Sequence, residues 1–149
     1  MDLPEVTIYT DGACRGNPGP GGWSAIIISG NTEKVIAGGE KDTTNNRMEL
    51  KAIIGALQLL TRRCRVNVFS DSKYVVDGLS RGWAMSWQSR GWKKSDGKPA
   101  LNANLWEKLL RLCEKHDVNV TWVEGHNGNY YNERCDRLAV SFAEAFSSN

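Results

Sequence analysis

The stretch that most constrains the fold of this chain is a run of alternating residues, 5–10, that ends in a carboxylate and then enters a glycine- and proline-rich segment. Alternation between two kinds of side chain is typical of a β-strand, in which successive side chains point to opposite faces. Asp11 follows this strand directly, and the segment 12–22 predicts a turn. Because side chains at the ends of central strands can face a cleft, Asp11 is expected to belong to a functional site.

The rest of the chain carries strand and helix patterns in an order that predicts an α/β fold. Apolar runs predict further strands at 23–29, 35–39, 66–70 and 118–123. Apolar residues at helical spacing predict helices after the N-cap cluster 43–46 and at about 72–79, 102–115 and 132–146. This order gives a five-stranded mixed sheet, antiparallel over its first three strands, with helices on both faces. Residues 1–149 are expected to form one domain.

Positive charge is concentrated in one segment, 81–98. The chain has a net charge of only +2, but this segment holds five basic residues and one acidic residue, together with three of the six tryptophans. It has no clean helical or strand period, and we expect a short helix and a loop that project from the body of the protein. Cations concentrated in one place are the pattern expected of a surface that binds a polyanion.

The composition disfavours disulfide-rich, zinc-binding and membrane proteins. The four cysteines are scattered, with no Cys-x-x-Cys pair and no neighbouring histidine, so reduced thiols are expected. No segment approaches the roughly 18 apolar residues of a membrane span, and the first residues lack the apolar centre of a signal peptide. A cytoplasmic protein without a membrane partner is therefore the expectation.

Four carboxylates stand out by their position in the predicted elements. Asp11 and Asp71 each end a strand, Glu49 lies near the start of a helix at the boundary between core and solvent, and Asp136 follows a polar loop. Each alone has an ordinary explanation as an exposed acid or a helix-end residue. If the first and fourth strands are neighbours, Asp11 and Asp71 project from the same sheet edge, where gathered acids need a cation. Oxygen ligands suit Mg²⁺ or Mn²⁺, which can serve phosphodiester chemistry.

Five motifs resemble those of type 1 ribonuclease H in order and spacing, over nearly the whole chain. They are TDGACRGNPGPGG at 10–22, TNNRME at 44–49, DSKYV at 71–75, VEGHNG at 123–128 and NERCD at 132–136. The resemblance implies a ribonuclease H-like fold and an endonuclease that hydrolyses the RNA strand of RNA–DNA hybrids, leaving 5′-phosphate and 3′-hydroxyl ends. It also implies two Mg²⁺ ions, with Mn²⁺ as a substitute, held by Asp11, Glu49, Asp71 and Asp136. A monomer is expected.

The same resemblance assigns residues around the hybrid. His126 would assist proton transfer or product departure. Four residues would contact the minor groove and the 2′-hydroxyl, which is the group that distinguishes RNA from DNA. They are Cys14, Asn17, Asn45 and Asn46. Thr44 would hold a DNA phosphate, although residues 44–46 also suit helix capping. In the basic segment, DNA sugars and phosphates would be contacted by Trp83, Trp87, Arg90, Lys93, Lys94 and Lys98.

Three positions depart from the family pattern. Asp42 stands where related enzymes often carry a basic residue, Lys73 replaces a frequent glutamine, and Gly82 is an extra residue before Trp83. These departures would affect substrate binding rather than the catalytic step, and Lys73 would add a phosphate contact. Two other functions stay open: a non-catalytic module that binds hybrids or duplexes, and a DNA integrase or transposase core, which also uses clustered acids.

Overall fold

The computed structural model describes residues 2–125 and 128–147. Its centre is a five-stranded sheet in the order β3-β2-β1-β4-β5, formed by Glu5–Cys14 (β1), Gly19–Ser29 (β2), Thr32–Thr43 (β3), Arg65–Ser70 (β4) and Asp117–Trp122 (β5). The first three strands pair antiparallel, whereas β4 runs parallel to both β1 and β5. The predicted mixed sheet is confirmed, including the neighbouring first and fourth strands.

Five helices connect or follow the strands. They are α1 (Asn45–Gln58), α2 (Lys73–Ser80), α3 (Trp83–Ser89), α4 (Ala103–Glu114) and α5 (Tyr130–Ser147). Hydroxyl caps begin two of them: Thr44 accepts a hydrogen bond from the backbone N–H of Arg47 at 3.2 Å, and Ser72 accepts one from Val75 at 3.3 Å. Each of these two caps directly precedes a helix that carries candidate site residues at its start.

Helices cover both faces of the sheet, as predicted. On one face, α1 and α4 pack over a core that includes Ile8, Val68 and Trp106, all fully buried. On the other face, α5 packs over β1, β2 and β3, and Ser24 of β2 donates a hydrogen bond to the carbonyl oxygen of Cys135 at 2.7 Å. The alternation along β2 explains this division, since adjacent residues in a strand point to opposite faces.

The glycine-rich segment 12–22 is mostly strand, so the predicted turn over its whole length is wrong. β1 continues past Asp11 to Cys14, so Asp11 lies within the strand and the prediction that it ends the strand is wrong. β2 begins at Gly19, which leaves only residues 15–18 to turn the chain. The glycines serve close packing instead. A Cβ atom at Gly22 would collide with the backbone oxygen of Ala139 in α5, so the helix can approach β2 this closely only because position 22 lacks a side chain.

The basic segment contains the short helix α3 and a loop, as predicted. Gly82, at the N-cap position of α3, adopts the left-handed conformation with φ of 73°. That conformation favours glycine, and it lets the chain turn from α2 directly into α3. The extra residue relative to the family pattern therefore has a structural role at this junction.

Candidate active site

Two parallel strands bring the aspartates together. Tyr9 of β1 lies in register with Phe69 of β4, so Asp11 and Asp71, each two residues further on, lie at the same sheet edge. Glu49 reaches this edge from the second turn of α1. One carboxylate oxygen from each of the three residues lies within 4.8 Å of the other two. We refer to Asp11, Glu49 and Asp71 as the carboxylate cluster.

Glu49 lies inside the protein rather than at the boundary between core and solvent, so that prediction is wrong. Its relative exposure is 3%. The helical pattern placed it one position off the apolar stripe, but the end of β1 covers this side of α1. Its Oε1 atom has no hydrogen-bond partner among the described residues. A buried carboxylate oxygen without a donor is costly, and it is the kind of atom that a metal ion would coordinate.

Asp136 lies beside the cluster on α5. It lines the same cleft as the three clustered acids, and its charge is one of the causes that raise the pKa of Asp11. Two contacts of Cys135 hold this part of α5 to the sheet: the bond from Ser24 to its carbonyl oxygen, and its own thiol, 3.4 Å from the carbonyl oxygen of Tyr9. Asp136 is therefore fixed relative to the strand that carries Asp11.

Burial and mutual repulsion raise the pKa values of the buried acids. Desolvation raises the pKa of Asp11 to about 8, and the charges of Asp71 and Asp136 add to this effect. The backbone N–H of Gly12, 2.9 Å from Oδ1 of Asp11, acts in the opposite direction. Burial also raises the pKa of Glu49 well above its usual range, with the charges of Asp11 and Asp71 as further causes. Without a cation, these carboxyls tend to stay protonated.

The donor set of this site fits a hard divalent cation. It consists of carboxylate oxygens alone, one of which is buried and unpartnered. Mg²⁺ and Mn²⁺ prefer such ligands, and their charge would remove the repulsion that raises the pKa values. The residues present therefore fit the metal ions that the sequence motifs imply.

The acids lie in an open cleft of about 620 Å³. Three of the predicted hybrid-recognition residues, Cys14, Asn45 and Asn46, line this cleft with them. Asn17 does not line it, but its side-chain oxygen accepts a hydrogen bond from the backbone N–H of Asn45 at 3.0 Å. Thr44 caps α1. The structure thus brings this group to the mouth of the cleft, with Asn17 and Thr44 bonded to the backbone of the first turn of α1.

A second cleft, of about 450 Å³, lies in the basic segment. Four predicted residues line it: Trp83, Trp87, Arg90 and Lys94. Lys93 and Lys98 do not line it, and both are exposed. Trp87 also packs edge-on against the buried Trp106, with ring centroids 6.0 Å apart, so it anchors the segment to the core. Tyr74 lines both clefts and stands between them.

The structure leaves one predicted residue undescribed and adds residues that the sequence did not reveal. His126 lies outside the described residues. Sequence reasoning missed Trp122, which lines the first cleft at the end of β5, although the strand-end rule applied to Asp11 would have found it. It also missed Glu40 of β3, which accepts hydrogen bonds from Arg47 and Lys51 of α1 at 2.7 and 2.9 Å. The four cysteines are free thiols, as predicted.

Comparison with known proteins gives consistent matches. The family model described as RNase H matches residues 4–144. A protein named Ribonuclease H from Desulforamulus reducens is 51% identical over 143 residues, which cover 96% of this chain and 90% of the relative. The solved structure of LC9-RNase H1, described as a type 1 RNase H with the type 2 active-site motif, is similar with a TM-score of 0.86 and 34% identity, over 97% of this chain and 74% of that one.

A further solved structure contains nucleic acid. It is LC11-RNase H1 in complex with an RNA/DNA hybrid, and it is 26% identical with a TM-score of 0.67, over 96% of this chain and 99% of that one. Among the helices in the described part of the chain, none has the length and apolar character that crossing a membrane requires.

Proposed function

This chain belongs to the ribonuclease H family, whose members hydrolyse RNA in RNA–DNA hybrids, and we propose that it cuts the RNA strand internally, leaving 5′-phosphate and 3′-hydroxyl ends. The observation that carries this proposal is the carboxylate cluster, three acids within 4.8 Å in a cleft lined by Asn45 and Asn46. The chain is a ribonuclease H enzyme by family. The proposal adds the cleavage mode and the roles of individual residues.

Asp11, Glu49, Asp71 and Asp136 would hold two Mg²⁺ ions, or Mn²⁺ in their place. When bound, such ions activate a water molecule and stabilise the leaving oxygen of a phosphodiester. The protein supplies rigid ligands: Asp11 and Asp71 on paired strands, Glu49 on a capped helix and Asp136 on a helix bonded to β1 and β2. This rigidity sets where the scissile phosphate must lie.

The residues at the mouth of the cleft would recognise the RNA strand. The side chains of Asn45 and Asn46 carry both donors and acceptors, which suits a 2′-hydroxyl that can donate and accept. Cys14 lines the same surface, and its thiol lies 2.8 Å from the carbonyl oxygen of Gly16. Asn17 holds the backbone of Asn45 and joins the same recognition group. Hybrid specificity would arise because a DNA strand at this place offers no 2′-hydroxyl.

The DNA strand would follow the basic segment. Trp83, which is 43% exposed, offers a flat ring for a deoxyribose, and Arg90 and Lys94 share its cleft and would hold phosphates. Lys93 would add charge at the same surface, and Thr44 would hold a DNA phosphate near α1. His126, by family resemblance, would assist proton transfer or product departure. One domain acting as a monomer would suffice for these contacts.

The test is cleavage of an RNA–DNA hybrid labelled at either RNA end, with Mg²⁺, beside single-stranded RNA and duplex DNA. We expect internal cuts in the hybrid RNA alone, and loss of nearly all activity in Asp11→Asn. End-group analysis checks the 5′-phosphate and 3′-hydroxyl. Binding without cutting would support the non-catalytic module, and preferential cutting of duplex DNA would support the integrase-like reading. Either result would overturn the proposal.

A further inference from the structure

The first cleft contains a cation held against an aromatic ring. Lys73, the first residue of α2, follows the cluster residue Asp71 by two positions. Its ammonium nitrogen lies 4.8 Å from the centroid of the Trp122 ring, at the end of β5. The electron-rich face of an indole attracts a cation at this distance. The two side chains therefore form a pair that joins the start of α2 to the end of the edge strand.

Trp122 is itself attached to the backbone of the carboxylate cluster. Its indole N–H donates a hydrogen bond to the carbonyl oxygen of Asp71 at 3.1 Å. The next residue, Val123, donates its backbone N–H to the carbonyl oxygen of Ser70 at 2.9 Å. The ring on which Lys73 rests is thus positioned by the same strand end that carries Asp71.

Among the described residues that line this cleft, Lys73 carries the one positive charge. The other charged residues in the lining are the acids Asp11, Glu49, Asp71 and Asp136. Even so, within residues 2–125 and 128–147 Lys73 makes no ion pair with a carboxylate. The residue is exposed, and its ammonium lies over the Trp122 ring instead. A cation kept off the acids in this way remains available to an anion that enters the cleft.

The order of the strands places this pair on a definite side of the acids. α1, which begins with Asn45 and Asn46, packs over β1 and β2, whereas Trp122 ends β5, beyond β4. The carboxylate cluster therefore lies between the amide side and the cation–aromatic side of the cleft. Tyr74 separates this cleft from the one lined by Arg90 and Lys94. Lys73 therefore lines the cleft that holds the acids and does not line the cleft that holds Arg90 and Lys94.

We infer that Lys73 binds a phosphate of the RNA strand beside the one that is cut, and that Trp122 is the positioning residue that holds Lys73 for this contact. This inference rests on the proposed function. The amides read the sugar on one side of the acids, and the Lys73 ammonium holds the backbone on the other. The Trp122 ring keeps that ammonium from pairing with the carboxylates, which are reserved for metal ions.

The first experiment measures kcat and KM for hybrid cleavage with Mg²⁺ over a range of NaCl concentrations. We expect Lys73→Gln to raise KM several-fold and to flatten the log–log salt dependence of kcat/KM by roughly 0.7 to 0.9, the value for one lost phosphate contact. Lys73→Arg keeps the charge and should restore the slope. Equal slopes for the wild-type protein and Lys73→Gln would overturn the inference.

The second experiment tests the role of Trp122 by a double-mutant cycle. Trp122→Leu should raise KM in the wild-type background and have little further effect beside Lys73→Gln, whereas Trp122→Phe, which keeps an aromatic face, should retain most of the binding. Effects of Trp122→Leu that are the same in both backgrounds would overturn its positioning role. Thermal melts of each variant check that the fold is intact.

The third experiment identifies the strand. A single uncharged methylphosphonate linkage next to the cut site in the RNA strand should raise KM for the wild-type protein but not for Lys73→Gln. Coupling to a linkage in the DNA strand instead would overturn the inference. If the wild-type protein does not cut hybrids at all, the proposed function fails. If it does cut them and Lys73→Gln keeps the wild-type salt slope, this inference alone fails.

Discussion

Gly12 and Glu49 lie so close together that a Cβ atom at position 12 would stand 2.6 Å from the backbone nitrogen of Glu49 and 3.0 Å from its Oε1 atom. β1 therefore passes α1 at a distance that only glycine permits at this position. The contact explains why a carboxylate one step off an apolar stripe is buried. It also joins the strand that carries Asp11 to the helix that carries Glu49.

Gly12→Ala should therefore damage both the fold and the site. The obstacle is backbone, which cannot rotate away, so we expect a loss of about 1–3 kcal/mol in the free energy of unfolding and a large loss of hybrid cleavage. Urea denaturation and a cleavage assay measure the two effects. Gly55→Ala, later in α1, is the matched control, because the three atoms nearest to its new Cβ belong to the side chains of Trp23 and Ile36, at 3.2–3.3 Å. Equal effects of the two substitutions would contradict this account.

Asp11→Asn should stabilise the metal-free protein at alkaline pH. Because the folded-state pKa of Asp11 is raised from 3.8 to about 8, the folded protein binds more protons than the unfolded chain between these values. The free energy of unfolding thus falls as pH rises through this window. The amide removes this penalty, and we expect a gain on the order of 2 kcal/mol at pH 8 in EDTA, with a flatter pH profile.

Mg²⁺ should stabilise the wild-type protein much more than Asp11→Asn. Added at pH 8, it should raise the melting temperature of the wild-type protein, since a ligand that binds the folded state stabilises it. Asp11→Asn should respond much less. Thermal melts in EDTA and in a Mg²⁺ series provide the measurement. If the stability of the wild-type protein depends on neither pH nor Mg²⁺, the assignment of these residues as metal ligands is contradicted.

Glu40→Gln should weaken the attachment of β3 to α1. Hydrogen bonds from Arg47 lower the pKa of Glu40 to about 2, although burial opposes them, and Lys51 contributes further. For a lowered pKa, the stabilisation is present above the ordinary value of 4.5 and is lost as pH falls through the folded-state value. The Glu40 side chain is only partly buried, so solvent screens these contacts, and we expect a loss of about 1 kcal/mol at pH 7.

The difference between Glu40→Gln and the wild-type protein should shrink as pH falls from 4.5 toward 2. Urea denaturation at several pH values measures it. Glu107→Gln is a suitable control, because within the described part of the chain Glu107 forms one ion pair, with the exposed Arg111 one turn along α4. Glu107→Gln should lower the free energy of unfolding less than Glu40→Gln does. A larger loss in Glu107→Gln would contradict the stabilising role of the Glu40 contacts.

Replacing both Lys93 and Lys94 with alanine should weaken hybrid binding and flatten its salt dependence by about 0.9 per lost contact. Lys94 lines the second cleft, so Lys94→Ala alone should account for at least half of the change. Steady-state cleavage at several NaCl concentrations measures the slope. Lys34→Ala, an exposed lysine on β3, is the control and should leave the slope unchanged. An unchanged slope in the double variant would mean that the basic segment does not hold phosphates.

Much of the site was visible in the sequence because its signals are local. A strand that ends in an aspartate, a hydroxyl before a helix and a cluster of cations each involve neighbouring residues. Asp71 is an example, since it directly follows the end of β4. The family motifs added the roles of single residues, which composition and spacing alone left open between several functions.

The sequence by itself determined the order of strands and helices, the cap of α1, the place of Asp71 at a strand end, and the family. The tertiary structure decided that the glycine-rich segment is mostly strand, that Glu49 is buried with an unpartnered oxygen, and that Lys73 rests on Trp122. The physical reason is that hydrogen-bonded elements form from local preferences. Burial and pairing, in contrast, depend on which distant segments pack together, and only the folded chain brings Gly12 against Glu49.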